Sequence, residues 1–139
     1  MKVGIPNALL HFGYKNFIET FFLELWAEIV TSPDTNKNIL DQGIKCCVDE
    51  ACLPIKVFHG HADYLKDKCD ILFIPRIMQL CKNEYICPKF CGLTEMILND
   101  IPDMPRITSY PIYYWDKTHM KRWAENTGSL VTNNHSKLK

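Results

Sequence analysis

Hydrophobic and polar positions along the 139-residue chain form two kinds of segment. Unbroken apolar runs, of which residues 71–75 are the clearest, are typical of strands that are covered on both faces. Between them lie segments in which apolar residues recur every three or four positions, and this spacing predicts helices. The pattern predicts strands at residues 2–6, 27–31, 71–75 and 106–109. It predicts helices at residues 14–26, 36–41, 55–66, 93–98 and 117–125.

The remaining segments lack a clear period. We expect a stop near Gly43 after the second helix, and then a loop or short strand over residues 43–49. Residues 76–84 are predicted to be irregular or weakly helical, and residues 88–91 a turn. The polar residues 126–139 are predicted to be a flexible tail.

The order of these elements predicts an α/β fold. Strands that alternate with helices are typical of a Rossmann-like, mostly parallel sheet with helices on both faces. Such sheets bind ligands at loops beyond the carboxyl ends of their strands, where residues 76–91 are expected to lie. Residues 1–125 are therefore predicted to form a single α/β domain.

Composition and charge exclude two classes of function. The chain is 47% apolar and 23% charged, which suits one globular core. Sixteen basic residues balance sixteen acidic ones, so the positive surface of a nucleic-acid-binding protein is missing. The chain contains no run of about 18 apolar residues, so no membrane span is predicted. The first residues do not resemble a signal peptide, so we expect a cytoplasmic protein.

Seven cysteines are unusual for such a chain, and in a reducing compartment they indicate metal binding, redox chemistry or packing. Cys69 precedes an apolar strand and is expected to be a packing residue. Two groups lie next to predicted helix starts, where a thiolate gains from unpaired backbone N–H groups. Their spacings, Cys47-x4-Cys52 and Cys87-x3-Cys91, are not the CxxC pairs of zinc ribbons or bacterial ferredoxins. Spacing alone therefore leaves a metal site and scattered structural cysteines as alternatives.

Four strings resemble one known family. They are KVGIP with ALL at residues 2–10, VDEACLPIKVFHGH at 48–61, FIPR at 73–76 and YICPKF at 85–90. These strings are similar to the activase-associated (DUF2229-type) domain of the 2-hydroxyacyl-CoA dehydratase superfamily. The resemblance covers about residues 1–105, and residues 106–139 match nothing in it.

The resemblance implies an iron–sulfur function. The superfamily includes cluster-bearing subunits of 2-hydroxyglutaryl-CoA and benzoyl-CoA type enzymes and double-cubane cluster proteins. Its members hold a cluster between two Rossmann-like halves, and an ATP-hydrolysing activase supplies a low-potential electron. Carried over by position, Cys52 and Cys87 are cluster ligands of a 4Fe–4S type centre, Cys47 is a third ligand, and Cys91 is a further metal ligand.

The short chain corresponds to a single half of that architecture. We therefore expect a component of a dehydratase or reductase system rather than a complete enzyme, and no catalytic residue is assigned. Its expected partner is an activase or a dehydratase or reductase subunit, and a homodimer that shares one cluster is a further arrangement.

Two alternative functions stay open, as do the roles of four residues in the second string. The chain could be a non-catalytic half-domain that docks on an activase or dehydratase, or a domain stabilised by zinc. Within the second string, His59 and His61 could be proton donors or cluster neighbours, or they could end the helix. Glu50 could cap that helix, and Lys56 could lie on its exposed face.

Overall fold

Strands and helices alternate along the chain in the structure, a computed structural model that describes residues 2–8, 11–79, 82, 84, 91–113 and 115–131. The strands are β1 (Lys2–Ile5), β2 (Glu28–Thr31), β3 (Ile71–Phe73), β4 (Arg76–Gln79), β5 (Arg106–Thr108) and β6 (Pro111–Tyr113). The helices are α1 (His11–Glu24), α2 (Lys37–Cys46), α3 (Leu53–Leu65), α4 (Leu93–Asp100) and α5 (Lys117–Ser129).

Four strands form one parallel sheet in the order β2-β1-β3-β5. Val3 pairs with Ile29 on one side and with Ile71 on the other, and Leu72 pairs with Ile107. The two central strands are the apolar ones, because both of their faces are covered. The Rossmann-like α/β prediction is confirmed, and so are the four strands from which it was built.

Helices cover both faces of this sheet. On one face, Leu72 packs with α3 and α4 through Phe58, Leu65 and Ile97. On the other face, Val3 and Phe73 pack with α1 and α5 in a second buried cluster. Neighbouring residues of β3 thus point to opposite cores, as the two-residue period of a strand requires. Within the part of the chain that the structure describes, every helix is too short or too polar to span a bilayer.

A second, two-stranded parallel sheet was not predicted. The segment predicted to be irregular begins with β4, which pairs with β6 so that Ile77 lies opposite Ile112. Both isoleucines are buried in the core beneath α1 and α5. These strands were missed because both are short, β4 carries polar residues and β6 begins with a proline. In β4, the buried Gln79 accepts a hydrogen bond from Trp115 Nε1 at 2.8 Å.

The second helix was predicted to stop near Gly43. In the structure it continues to Cys46. Gly43 lies where α2 crosses α3, and a Cβ atom there would stand 1.9 Å from the Lys56 carbonyl oxygen. Gly60 makes the reciprocal contact, since its Cβ would stand 2.0 Å from the Ile39 carbonyl oxygen. These glycines permit close helix packing, and residues 43–46 are therefore helical rather than part of a loop or strand.

The last helix is longer than predicted. Asp116 caps its start, with Oδ1 accepting a hydrogen bond from the Thr118 N–H at 2.9 Å. The helix continues past residue 125 to Ser129, and Thr127 and Gly128 are buried. Residues 126–129 are thus an ordered part of α5 rather than the start of a flexible tail, because the core side of the helix extends through them. Residues 132–139 lie outside the described residues.

Candidate metal centre

Three of the four predicted cysteine ligands lie in the described part of the chain. Cys52 is exposed and occupies the N-cap of α3, and Cys91 is half-buried just before α4. Cys47 is buried at the C-cap of α2. Cys87 lies outside the described residues, so the predicted meeting of Cys52 with Cys87 stays a prediction.

Cys52 and Cys91 both lie toward the carboxyl ends of the strands. α3 is followed in the chain by β3, and the start of β3 lies at the amino end of the sheet. This is shown by Asp70, whose N–H donates to the Lys2 carbonyl at the amino end of β1 (2.9 Å). A helix of 13 residues is about 20 Å long, so the start of α3 lies toward the opposite edge of the sheet. α4 connects the parallel neighbours β3 and β5 and therefore begins on the same side.

Cys47 belongs to a different group, which the sequence did not predict as a unit. Its Sγ atom, a ring nitrogen of His59 and a carboxylate oxygen of Asp100 all lie within 4.8 Å of one another. The three residues come from the end of α2, the middle of α3 and the end of α4. His59 is fully buried and Asp100 is only 17% exposed. Among the residues that the structure describes, no other three metal-ligating side chains meet in this way.

Two hydrogen bonds fix the orientation of the His59 ring. Nδ1 lies 2.8 Å from the carbonyl oxygen of Ile55, one turn earlier in α3. Because a carbonyl can only accept, Nδ1 carries a hydrogen and donates it. Nε2 then faces Asp100 Oδ2 at 2.9 Å. This is the arrangement by which a backbone carbonyl commonly prepares Nε2 for a metal ion.

The Cys47 thiol is not a reactive nucleophile in this environment. Burial raises its pKa above the ordinary value, and the negative charge of Asp100 raises that pKa further. Burial also raises the pKa of the neighbouring Cys46, where the charge of Asp63 adds to the effect. Both side chains are therefore protonated thiols at neutral pH unless a cation replaces the proton.

Comparison with protein-family models shows the family to which the chain belongs. The family model described as CoA enzyme activase uncharacterised domain (DUF2229) matches residues 2–139. The chain belongs to the DUF2229 family. We found no significant match among curated proteins or among solved structures.

The family match is longer than the resemblance that the sequence strings predicted. Residues 106–139 were expected to lie outside it, yet the match reaches residue 139 of this DUF2229 chain. Those residues include β5, β6 and α5, which complete both sheets and one core.

The remaining cysteines of this DUF2229 domain that the structure describes have packing roles. Cys69 donates to the Leu65 carbonyl oxygen at 3.3 Å and lies against Gly4, where a Cβ would stand 2.7 Å from its Sγ atom. It thus occupies the packing position that the sequence predicts. Cys46 packs against the core of α3 and α4, and Gln42 Nε2 approaches its Sγ atom at 3.6 Å.

The polar residues of the second string have structural contacts. His61 is buried, and its ring nitrogens lie 2.6 Å from Ser32 Oγ and 2.9 Å from Thr35 Oγ1. Neither histidine ends the helix, which continues to Leu65. The predicted cap at Glu50 is wrong, since Cys52 is the N-cap, and the Lys56 ammonium donates to the Asp49 carbonyl at 3.0 Å.

Proposed function

We propose that the chain is an iron–sulfur cluster-binding component that works with an ATP-dependent activase, or with a dehydratase or reductase subunit, in low-potential electron transfer. The observation that carries the proposal is the position of Cys52 and Cys91 at two helix starts on the carboxyl side of the sheet. This is the side on which open parallel sheets bind their ligands. Membership of the CoA enzyme activase domain family supports the choice of partner.

The donor set favours cluster ligands other than Cys47. A cluster needs thiolates, whereas the near neighbours of the Cys47 Sγ atom are the imidazole of His59 and the carboxylate of Asp100. The described residues therefore do not fit a 4Fe–4S group at Cys47. We assign the cluster to Cys52, Cys87 and Cys91, with Cys81 as the fourth thiol that the sequence offers in the same region.

The helix starts offer the cluster more than a thiolate. The first backbone N–H groups of a helix have no partner inside it, and they stabilise negative charge on thiolates and sulfides. Pro54 in the first turn of α3 fixes the direction of the chain after Cys52. When bound, the cluster supplies one-electron transfer at low potential.

Apolar side chains beside Cys52 support a partner at this edge. Val48 is 50% exposed and Leu53 is 60% exposed, on either side of the Cys52 turn. Electron transfer needs the donor to approach the cluster, and such side chains are suited to docking. We propose that the activase or dehydratase subunit covers this surface.

The test is anaerobic reconstitution of the full chain with iron and sulfide, followed by analysis of both elements. We expect a brown protein with iron and sulfide in a near one-to-one ratio. Cys52→Ser and Cys87→Ser should lose most of both elements, whereas the matched packing variant Cys69→Ser should keep them. A colourless wild-type protein, or an unchanged iron content in Cys52→Ser, would contradict the proposal.

A non-catalytic docking half-domain is the second candidate. It is favoured by the exposed Val48 and Leu53, which would serve a partner equally well without a cluster. Partner binding by the iron-free chain distinguishes the two. If Leu53→Asp abolishes binding while removal of iron leaves binding and partner activity unchanged, the docking function is the correct one.

A further inference from the structure

The group formed by Cys47, His59 and Asp100 has the composition of a mononuclear metal site. It presents one sulfur, one imidazole nitrogen and one carboxylate oxygen, all within 4.8 Å of one another. A tetrahedral zinc ion with bonds of about 2.0–2.3 Å holds its ligand atoms about 3.5 Å apart. Small side-chain rotations are therefore sufficient to bring the three atoms onto one ion.

The charge of the ligating groups matches that of a divalent cation. A ligating set of thiolate, neutral imidazole and carboxylate carries two negative charges. A divalent cation cancels both of them, and it leaves no net charge in a site where His59 is fully buried and Cys47 is 7% exposed. The thiolate and imidazole favour a zinc-class ion over magnesium or calcium, which prefer oxygen ligands.

The His59 ring already has the orientation that a metal ligand requires. The Nδ1–H donates to the Ile55 carbonyl, so Nε2, the ring nitrogen that faces Asp100, is the one left to bind a metal ion. Cys47 is held by its own backbone N–H, which donates to the Gly43 carbonyl at 3.1 Å. The His59 ring is thus oriented before any ion arrives, and the backbone that carries the Cys47 thiol is fixed beside it.

We propose that Cys47, His59 and Asp100 bind one zinc-class divalent cation, which fastens the ends of α2 and α4 to the middle of α3. The fourth coordination position lies on the side of Asp100, the most exposed of the three, and is suited to water. The site is structural, because its ligands join three helices beneath the surface. The proposal does not depend on an iron–sulfur cluster, since it uses neither Cys52 nor the cysteines after β4.

The test uses Co²⁺ as a coloured substitute for zinc, under reducing and anaerobic conditions after chelator treatment. To remove the thiols assigned to the cluster, the full chain carries Cys52→Ser, Cys81→Ser, Cys87→Ser and Cys91→Ser. We expect one Co²⁺ per chain, visible bands typical of a four-coordinate site, and a near-ultraviolet band from a single thiolate ligand. Zn²⁺ should displace the colour and raise the Tm of the protein.

Single substitutions in that background assign the ligands. Cys47→Ser should abolish the thiolate band, and Asp100→Asn should weaken Co²⁺ binding at least tenfold. Asp100→Asn keeps the size and a polar contact to His59, so it tests the site even if Cys47→Ser folds poorly. Cys46→Ser, which alters the adjacent thiol, is the matched control and should keep both the band and the affinity.

Two results would overturn the proposal. One is the absence of Co²⁺ binding to a protein whose far-ultraviolet circular dichroism shows that it is folded. The other is a thiolate band that persists in Cys47→Ser or disappears in Cys46→Ser. Neither result bears on cluster binding through Cys52, so failure of this proposal and of the iron–sulfur proposal can be told apart.

Discussion

Trp26 ends α1 with a left-handed backbone, with φ of 63°. The Ala27 N–H donates to the Phe22 carbonyl at 3.1 Å, and the Trp26 N–H donates to the Leu23 carbonyl at 2.9 Å. This pair of hydrogen bonds is the Schellman motif, in which glycine is the usual residue at the left-handed position. A side chain with a Cβ costs about 1–2 kcal/mol there, so Trp26 is a strained helix end.

Substitutions at Trp26 test this strain. Trp26→Gly and Trp26→Ala both remove the indole and its contacts, and they differ only in the Cβ. We expect Trp26→Gly to have a free energy of unfolding about 1 kcal/mol higher than Trp26→Ala. Urea unfolding followed by circular dichroism measures the difference. Equal stability of the two variants would show that this turn is not strained.

At the residue scale, the sequence predicted part of the group formed by Cys47, His59 and Asp100. The string that resembles the family contains Cys52 and His59, and the cysteine groups include Cys47. Asp100 could not be found, because it lies 41 residues from His59 and meets it only through the packing of α3 beside α4. No local pattern marks an aspartate at a helix end as the partner of a buried histidine.

At the scale of the elements, α2 and α3 pack closely against each other. Gly43 and Gly60 lie at the crossing, each against a carbonyl oxygen of the other helix. Since a backbone atom cannot move aside as a flexible side chain can, a methyl group at either position would force the helices apart. The position of Cys47 at the end of α2 depends on this crossing.

Gly43→Ala tests the helix contact. In an exposed helix this change stabilises by about 1 kcal/mol, because alanine is the better helix former. Here we expect a loss of about 3 kcal/mol in the free energy of unfolding, because the new Cβ would overlap the Lys56 carbonyl. The exposed Asn38→Ala in the same helix is the control and should not destabilise. Equal denaturation midpoints for Gly43→Ala and Asn38→Ala would contradict the described packing.

The sequence predicted the four strands of the main sheet but neither strand of the second sheet. Residues 71–75 are apolar throughout because both faces of β3 are covered, and β3 was predicted. β4 carries the polar Arg76 and Gln79, β6 has only three residues and begins with a proline, and the two strands pair only with each other, so neither was found. The continuation of α2 was missed because Gly43 is normally a stop signal, and its role in packing needs the neighbouring helix.

The C-terminal segment belongs to the core of the whole molecule. The Trp123 side chain of α5 is 1% exposed. Its ring lies 4.7 Å from the ring of Phe21 in α1 and 6.3 Å from the ring of Phe73 in β3, measured between centroids. This aromatic group joins the last helix to the first helix and the central sheet. The family match over the whole chain agrees with this arrangement.

Trp123→Ala tests the importance of that segment. Removing a large buried aromatic side chain typically costs about 3–5 kcal/mol, through lost burial and the cavity that remains. We expect that loss for Trp123→Ala and less than about 0.5 kcal/mol for the exposed Lys121→Ala in the same helix. Thermal unfolding followed by circular dichroism measures both. A small effect of Trp123→Ala would mean that α5 is not part of the cooperative core.

At the scale of the whole molecule, the proposals separate two groups of thiols. Cys52 and Cys91 lie at helix starts on the carboxyl side of the sheet and are assigned to a cluster and a partner. Cys47 lies inside, with His59 and Asp100, and is assigned to a single zinc-class ion. The two assignments use different residues and different metals, so each can be removed without the other.

The most direct test measures iron and zinc in the same anaerobically prepared samples of the wild type, Cys47→Ser and Cys52→Ser. We predict that Cys47→Ser loses zinc and keeps iron, and that Cys52→Ser loses iron and keeps zinc. A wild type without iron, or substitutions that each remove both metals together, would contradict the account of two separate sites.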